Sequence, residues 1–282
     1  MKLKNIISAF DGISAAQVAL RRSGIKYTRY YSFEIDEKAI AVTQKRFPKT
    51  IQLGNIQQFD FNLLPDADLL IGGSPCQSFS NCGLREGFNG ASSLFWEYIK
   101  LLRCLRPKYF ILENVKMKKE WQQIITDTIG VNPIEINSSL VSGQGRKRLY
   151  WTNIKGVVLP ADRGITLSSV IRKNKGDYVD REKSYCCSAN YRPSHIDQYR
   201  VKFHKQVVLN DTLEKGFRKL TPEEYEKLQT FPVGYTRVAG NSMFQRYKQL
   251  GNSFTVDVIS HILSFIKKVD DKQCATQCFF DF

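Results

Sequence analysis

Short apolar runs of strand length alternate with stretches of helical spacing through the first half of the chain. The runs are Asn5 to Phe10, Tyr30 to Asp36, Asp68 to Gly73 and Tyr109 to Leu112. Between them, Lys38 to Phe47, Ser92 to Leu105 and Glu120 to Ile129 read as helices, and Leu94, Tyr98, Leu101, Leu102 and Leu105 mark one apolar stripe. Such alternation buries both faces of each strand and implies an α/β fold with a mostly parallel, layered sheet.

Ligands of open α/β sheets bind in the crevice outside the carboxyl ends of the strands. Chemistry-bearing residues stand at several of those ends. The first run meets Asp11-Gly12-Ile13-Ser14-Ala15-Ala16, a small-residue turn into a helix, where backbone N–H groups can meet a ligand. About twenty residues on, the second run carries Glu34 near its end, placed for ribose hydroxyls. The third run breaks at Gly72-Gly73 and delivers Ser74-Pro75-Cys76-Gln77-Ser78-Phe79-Ser80. By itself that stretch suits either a buried structural cysteine or a nucleophile. The fourth run ends at Glu113-Asn114-Val115, and Gln144-Gly145-Arg146-Lys147-Arg148 follows a further short run.

The chain has 282 residues and a formal net charge of +15, which points to a polyanionic partner, nucleic acid first. Seven cysteines at irregular spacing, without an export signal, suit a reducing intracellular compartment. No apolar run reaches membrane-spanning length, and the Cys274/Cys278 pair lacks a partner pair, so no metal site is expected. From Lys155 to Phe217 periodicity fades and cations interleave with tyrosines, a composition that suits a nucleic-acid surface. Thr221-Pro222-Glu223-Glu224 is a helix start, and Phe254 to Val269 is an apolar closing helix. The expected organisation is 1–154 catalytic, 155–217 a small lobe, 218–269 a return segment and 270–282 a tail.

Phe10-Asp11-Gly12, Glu34, Pro75-Cys76-Gln77, Glu113-Asn114-Val115, Gln144-x-Arg146-x-Arg148, Arg218-x-Leu220-Thr221-x-x-Glu224 and Gln249-x-Gly251-Asn252-Ser253 occur in this order. As an ordered set they resemble the C5 cytosine-specific DNA methyltransferases. The compact length is similar to bacterial and phage members, while the early turn and closing helix look somewhat like the eukaryotic de novo branch. The resemblance implies a layered Rossmann-like methyltransferase domain with a target-recognition lobe at 155–217. It implies methyl transfer from S-adenosylmethionine to C5 of a flipped cytosine in duplex DNA.

By the same resemblance Cys76 is the nucleophile, Glu113 contacts N3 and the exocyclic amine, Arg148 faces O2 and Arg146 supports the site. Phe10, Asp11, Gly12, Ser14, Glu34, Ile35, Asn55, Ile56, Pro75, Asn252 and Ser253 are implied cofactor contacts. Gln77, Ser80, Gln144, Arg172, Lys173 and Arg192 are the expected DNA contacts, and the Gly83 to Ala91 stretch is a candidate closing loop. Asn55 stands where the family often has aspartate, and the cofactor turn carries fewer glycines than many members. Two other readings remain at this point: a silent DNA-binding relative and an RNA cytosine C5 methyltransferase. The Cys-Phe-Thr tripeptide of the tRNA-methylating branch is missing, which favours DNA. A monomer in the cytoplasm of a bacterial or phage-infected cell, with a cognate restriction enzyme as a candidate partner, completes the expectation.

Overall fold

A computed structural model describes residues 1–74, 94–201 and 205–270. Pro75, Cys76, Gln77, Ser80, the Gly83 to Ala91 stretch and the 271–282 tail lie outside the described residues.

The alternation builds β1 (Lys2–Ala9), α1 (Ala15–Arg22), β2 (Lys26–Phe33), α2 (Glu37–Arg46) and β3 (Ile51–Gln52). Then come β4 (Leu69–Gly73), α3 (Leu94–Leu105), β5 (Tyr109–Val115), α4 (Lys119–Ile129), β6 (Ile134–Asn137) and β7 (Lys147–Thr152). These strands form one seven-stranded sheet of order β3-β2-β1-β4-β5-β7-β6. β1 to β5 pair in parallel, and β7 runs antiparallel to both neighbours. The strand order reverses between β1 and β4, so their carboxyl ends open a crevice.

Successive side chains of a strand point to opposite faces, and the core divides accordingly. Ile6, Leu69, Ile71 and Ile111 face one layer, shared with α1 and α2. Ile7, Leu70, Phe110 and Leu112 face the other, shared with Phe95, Tyr98 and Leu102 of α3. The closing helix α9 (Val256–Asp270) contributes Val256, Ile259, Ile262, Leu263 and Ile266 to the first layer. Each such burial is worth about 1.5–3 kcal/mol.

Beyond the sheet lie α5 (Leu167–Val170), α6 (Asp197–Arg200), β8 (Val207–Leu209), β9 (Phe217–Lys219), α7 (Pro222–Leu228) and α8 (Met243–Asn252). β8 and β9 pair as a separate two-stranded sheet, so the hairpin of the expected lobe runs past 217 into Lys219. The lobe has a small core of its own around Tyr199, Val207, Leu209 and Phe217. It is also stitched to the main body. Tyr191 stacks on Tyr225 and Tyr247 at 4.7 and 4.9 Å, donates to Gln206 O and accepts from Leu220 N. α7 starts with the capping box that the sequence spells: Thr221 accepts from Glu224 N, and the Glu224 carboxylate accepts from Thr221 N.

Candidate active site

The crevice over β1 and β2 is shaped by backbone conformation. Phe10, Gly12 and Ser14 adopt left-handed φ values of 56, 58 and 56°. A Cβ on Gly12 would meet nothing within 4 Å, so this turn presents open backbone to the crevice. Glu34 spans it: its carboxylate accepts from Gly12 N at 2.7 Å and from Ile35 N and Asp36 N at 2.8 Å. Beside it Ile35 is 70% exposed, an apolar surface with nothing packed over it. Lys248 of α8 pairs with Asp36 at 3.0 Å and fastens α8 to the start of α2 next to this crevice. Nothing local in the chain marks that tie, because its partners lie far apart in sequence.

Two residues expected at the cofactor turn have side chains bonded beneath it. Asp11 is buried and its carboxylate accepts from Tyr30 at 2.6 Å, Ser32 at 3.1 Å and Ser14. Burial raises its pKa, and the hydroxyl bonds oppose that rise. Ser14 is fully buried and also accepts from Gln17 and Thr43. Their side chains hold the turn from beneath. Asn55 Oδ1 accepts from Gln57 N as the cap of a short 3-10 turn, in which Ile56 is buried. At the far side Asn252 is exposed, while the Ser253 carbonyl accepts from Arg146 and Gln229.

The second half of the site lies over β4, β5 and β7. Register places Gly73 opposite Glu113, and Glu113 opposite Tyr150. Because β7 is antiparallel, its first residues return to the carboxyl end of β5, and Arg148 meets Val115. Arg148 Nε then lies 3.0 Å from Glu113 Oε1, with side chains 15% and 12% exposed. A Cβ at Gly73 would fall 2.7 Å from the Phe254 ring and 3.0 Å from Glu113 Oε2, so any side chain here would have to displace one of them. Asn114 donates to Ser74 Oγ at 2.9 Å, both buried, and so fixes the residue that precedes Pro75-Cys76. This tie was hidden in the Glu113-Asn114-Val115 motif, since nothing in the sequence names Ser74 as its partner.

Arg146 is buried rather than open to a substrate. It donates to the carbonyls of Cys187, Gly251 and Ser253 and to Cys186 Sγ. Burial works against its charge, but Cys186 and Glu113 nearby hold its pKa above the ordinary value. Gln144, expected at a base edge, is fully buried. Its amide donates to Leu228 O at 2.6 Å and Gln229 Oε1 at 2.8 Å, and accepts from Cys187 N at 3.0 Å. It is a structural bridge, because an amide that can read a base can equally saturate buried backbone. Arg172 and Lys173 are exposed, and Arg192 lies over the Phe244 ring at 3.8 Å.

Comparison with known proteins agrees with this geometry. A family model for C-5 cytosine-specific DNA methylase matches residues 4–129 and 138–268. The chain belongs to that family. It is 28% identical to the orphan methyltransferase M.Rho11sI of Bacillus phage rho11s, over 80% of this chain and 46% of the relative. It is 26% identical to the type II methyltransferase M.NlaX of Neisseria lactamica, over 93% of this chain and 96% of the relative. The chain thus spans under half of the phage relative but nearly all of the Neisseria one. In fold it is similar to an Entamoeba histolytica methyltransferase, TM-score 0.75, 20% identity, covering 97% of this chain and 100% of that one. A DNMT2 variant from Spodoptera frugiperda superposes with TM-score 0.68 and 22% identity, covering 94% and 99%. The fold is that of a Rossmann-like methyltransferase. Among the described residues no helix is long and apolar enough to cross a membrane.

Proposed function

We propose that this methylase transfers a methyl group from S-adenosylmethionine to C5 of cytosine in duplex DNA through a covalent adduct with Cys76. The observation that carries the reading is the largely buried Glu113–Arg148 pair at the ends of β5 and β7, beside the residue that leads into Pro75-Cys76.

The β1/β2 crevice fits the donor. Glu34 is placed for ribose hydroxyls, exposed Ile35 offers an apolar face for adenine, and the open backbone at Gly12 permits close approach. Bound there, the donor supplies an electrophilic methyl sulfonium. The protein must make cytosine C5 nucleophilic. The Cys76 thiolate adds to C6, and the electrons displaced across the ring make C5 enamine-like. Glu113 holds N3 and the exocyclic amine, and Arg148 offsets charge developing at O2. Once C5 carries the methyl group, loss of its proton expels the Cys76 thiolate and restores the aromatic ring. Because C5 is unreachable in stacked duplex, the base must leave the helix, at a cost of a few kcal/mol. Pocket contacts and the strongly basic chain offset that cost.

Labelled methyl transfer to duplex DNA and to tRNA tests the reading. Wild type is expected to label DNA, and Cys76→Ser to abolish the transfer. Arg148→Ala is expected to lower the rate by about 10²–10³, the usual cost of removing one oxyanion donor. Equal labelling by wild type and Cys76→Ser, or labelling of tRNA alone, would overturn it.

A further inference from the structure

Cys186 stands where the two halves of the site meet, and nothing in the proposed reaction uses it. Its Sγ lies 3.2 Å from Arg146 Nη1 and 3.9 Å from Arg148 Nη2. Through Arg146 the sulfur is linked to the Gly251 and Ser253 carbonyls, on the cofactor side. Through Arg148 it is linked to Glu113, on the cytosine side. The thiol is free and half-buried.

Its place is fixed by close packing. A Cβ on Gly251 would come within 2.2 Å of Ala189 N and 2.4 Å of Ser188 C, so backbone rests on backbone two residues beyond Cys186. The titratable and charged groups around it are Arg146 just before β7, Arg148 on β7, Glu113 on β5, Tyr150 beside them and the adjacent Cys187. Burial disfavours a Cys186 thiolate, but the two guanidinium groups outweigh it and bring the thiol below its usual range. Cys187 is pushed the other way by full burial, with Cys186 adding to the effect, and stays a neutral thiol. Among the described residues no carboxylate pairs directly with Arg146, and the Cys186 sulfur accepts from it at 3.2 Å while its own thiol lies 3.7 Å from Cys187 O.

We propose that Cys186 is a positioning residue for methyl transfer, whose sulfur accepts from Arg148 and Arg146, holds Arg148 on Glu113 and couples that pair, through Arg146, to the turn at the cofactor side. The proposal rests on the methyltransferase reading above. It adds a residue from the lobe to the catalytic layer, so that lobe placement and Arg148 placement become one event. A misplacement of about 1 Å at a reacting group can cost 10²-fold in rate, which makes a clamp on Arg148 worth having.

Two substitutions separate charge from packing. Cys186→Ser keeps the size and replaces the ionisable sulfur with a hydroxyl, and Cys186→Asp supplies a fixed anion. Single-turnover methyl transfer across pH, at saturating donor, should fall about tenfold or more in Cys186→Ser with the KM for donor unchanged. Cys186→Asp should recover most of the rate and lose the pH dependence that Cys186 ionisation gives wild type. Equal rates and equal pH profiles for the two variants, whether high or low, would overturn the proposal. A second measurement does not depend on activity. Iodoacetamide labelling of Cys186 in the whole protein, followed by peptide mass mapping across pH, reads its ionisation directly. Ionisation below the usual thiol range that rises in Arg148→Ala supports the clamp, and a titration unmoved by Arg148→Ala refutes it. Absence of methyl transfer in wild type would count against the methyltransferase reading, while this titration still decides the clamp.

Discussion

Gly73 shows how little room the site leaves. Its missing side chain is what lets Phe254 and Glu113 lie over the end of β4. Gly73→Ala is expected to cost about 1–3 kcal/mol of stability through overpacking and to slow single-turnover methyl transfer by displacing Glu113. A rate equal to wild type would show that Glu113 does not depend on this packing. Gln144 and Arg146 carry the converse lesson. Their motif announces a site, but not which members face the substrate, and both prove to be buried braces. Residue type alone cannot separate the two uses, because the same amide and guanidinium donors satisfy a base edge or a carbonyl.

At the scale of elements, α7 and α8 are joined by an ionic cluster whose inner members, Arg246 and Glu226, are buried. Arg246 of α8 donates to Glu223 at 2.9 Å and Glu226 at 3.0 Å, and Arg237 reaches Glu223 at 2.7 Å. Burial opposes ionisation of Glu223, but the hydrogen bonds from Arg237 and Arg246 prevail and hold its pKa at about 2. A carboxyl depressed on folding stabilises the fold above its unfolded pKa and loses that contribution as pH falls through the folded value. The melting-temperature advantage of wild type over Glu223→Gln should therefore be full above pH about 4.5 and shrink toward pH about 2. An advantage that stays constant over that window would contradict the account.

The same elements show what a sequence can disclose. The apolar runs became β1, β2, β4 and β5, and the Thr221–Glu224 capping box became the start of α7, because these depend on neighbours in the chain. The reversal of β7, which returns Arg148 to Glu113, depends on pairing across the sheet and has no local signature. Cys186 lies 38 residues beyond Arg148, so their contact appears only once the lobe is folded onto the sheet.

For the whole molecule the dominant quantity is charge. A net +15 favours a polyanionic partner, and Arg172 and Lys173 are exposed. Each phosphate neutralised adds about 0.9 to the slope of log affinity against log salt. Replacing both residues by alanine should reduce that slope on duplex DNA by up to about 2. An unchanged slope would remove them from the interface.

The central claim is that Cys76 attacks cytosine C6 in DNA. Duplex in which every cytosine is replaced by 5-fluorocytosine tests it most directly, because fluorine at C5 cannot leave as a proton does and the adduct persists. With S-adenosylmethionine present, wild type is predicted to form a denaturant-stable complex that maps by mass to the Cys76 peptide, and Cys76→Ser to form none. A complex that forms equally with Cys76→Ser, or methylated DNA without any trapped complex, would contradict the mechanism.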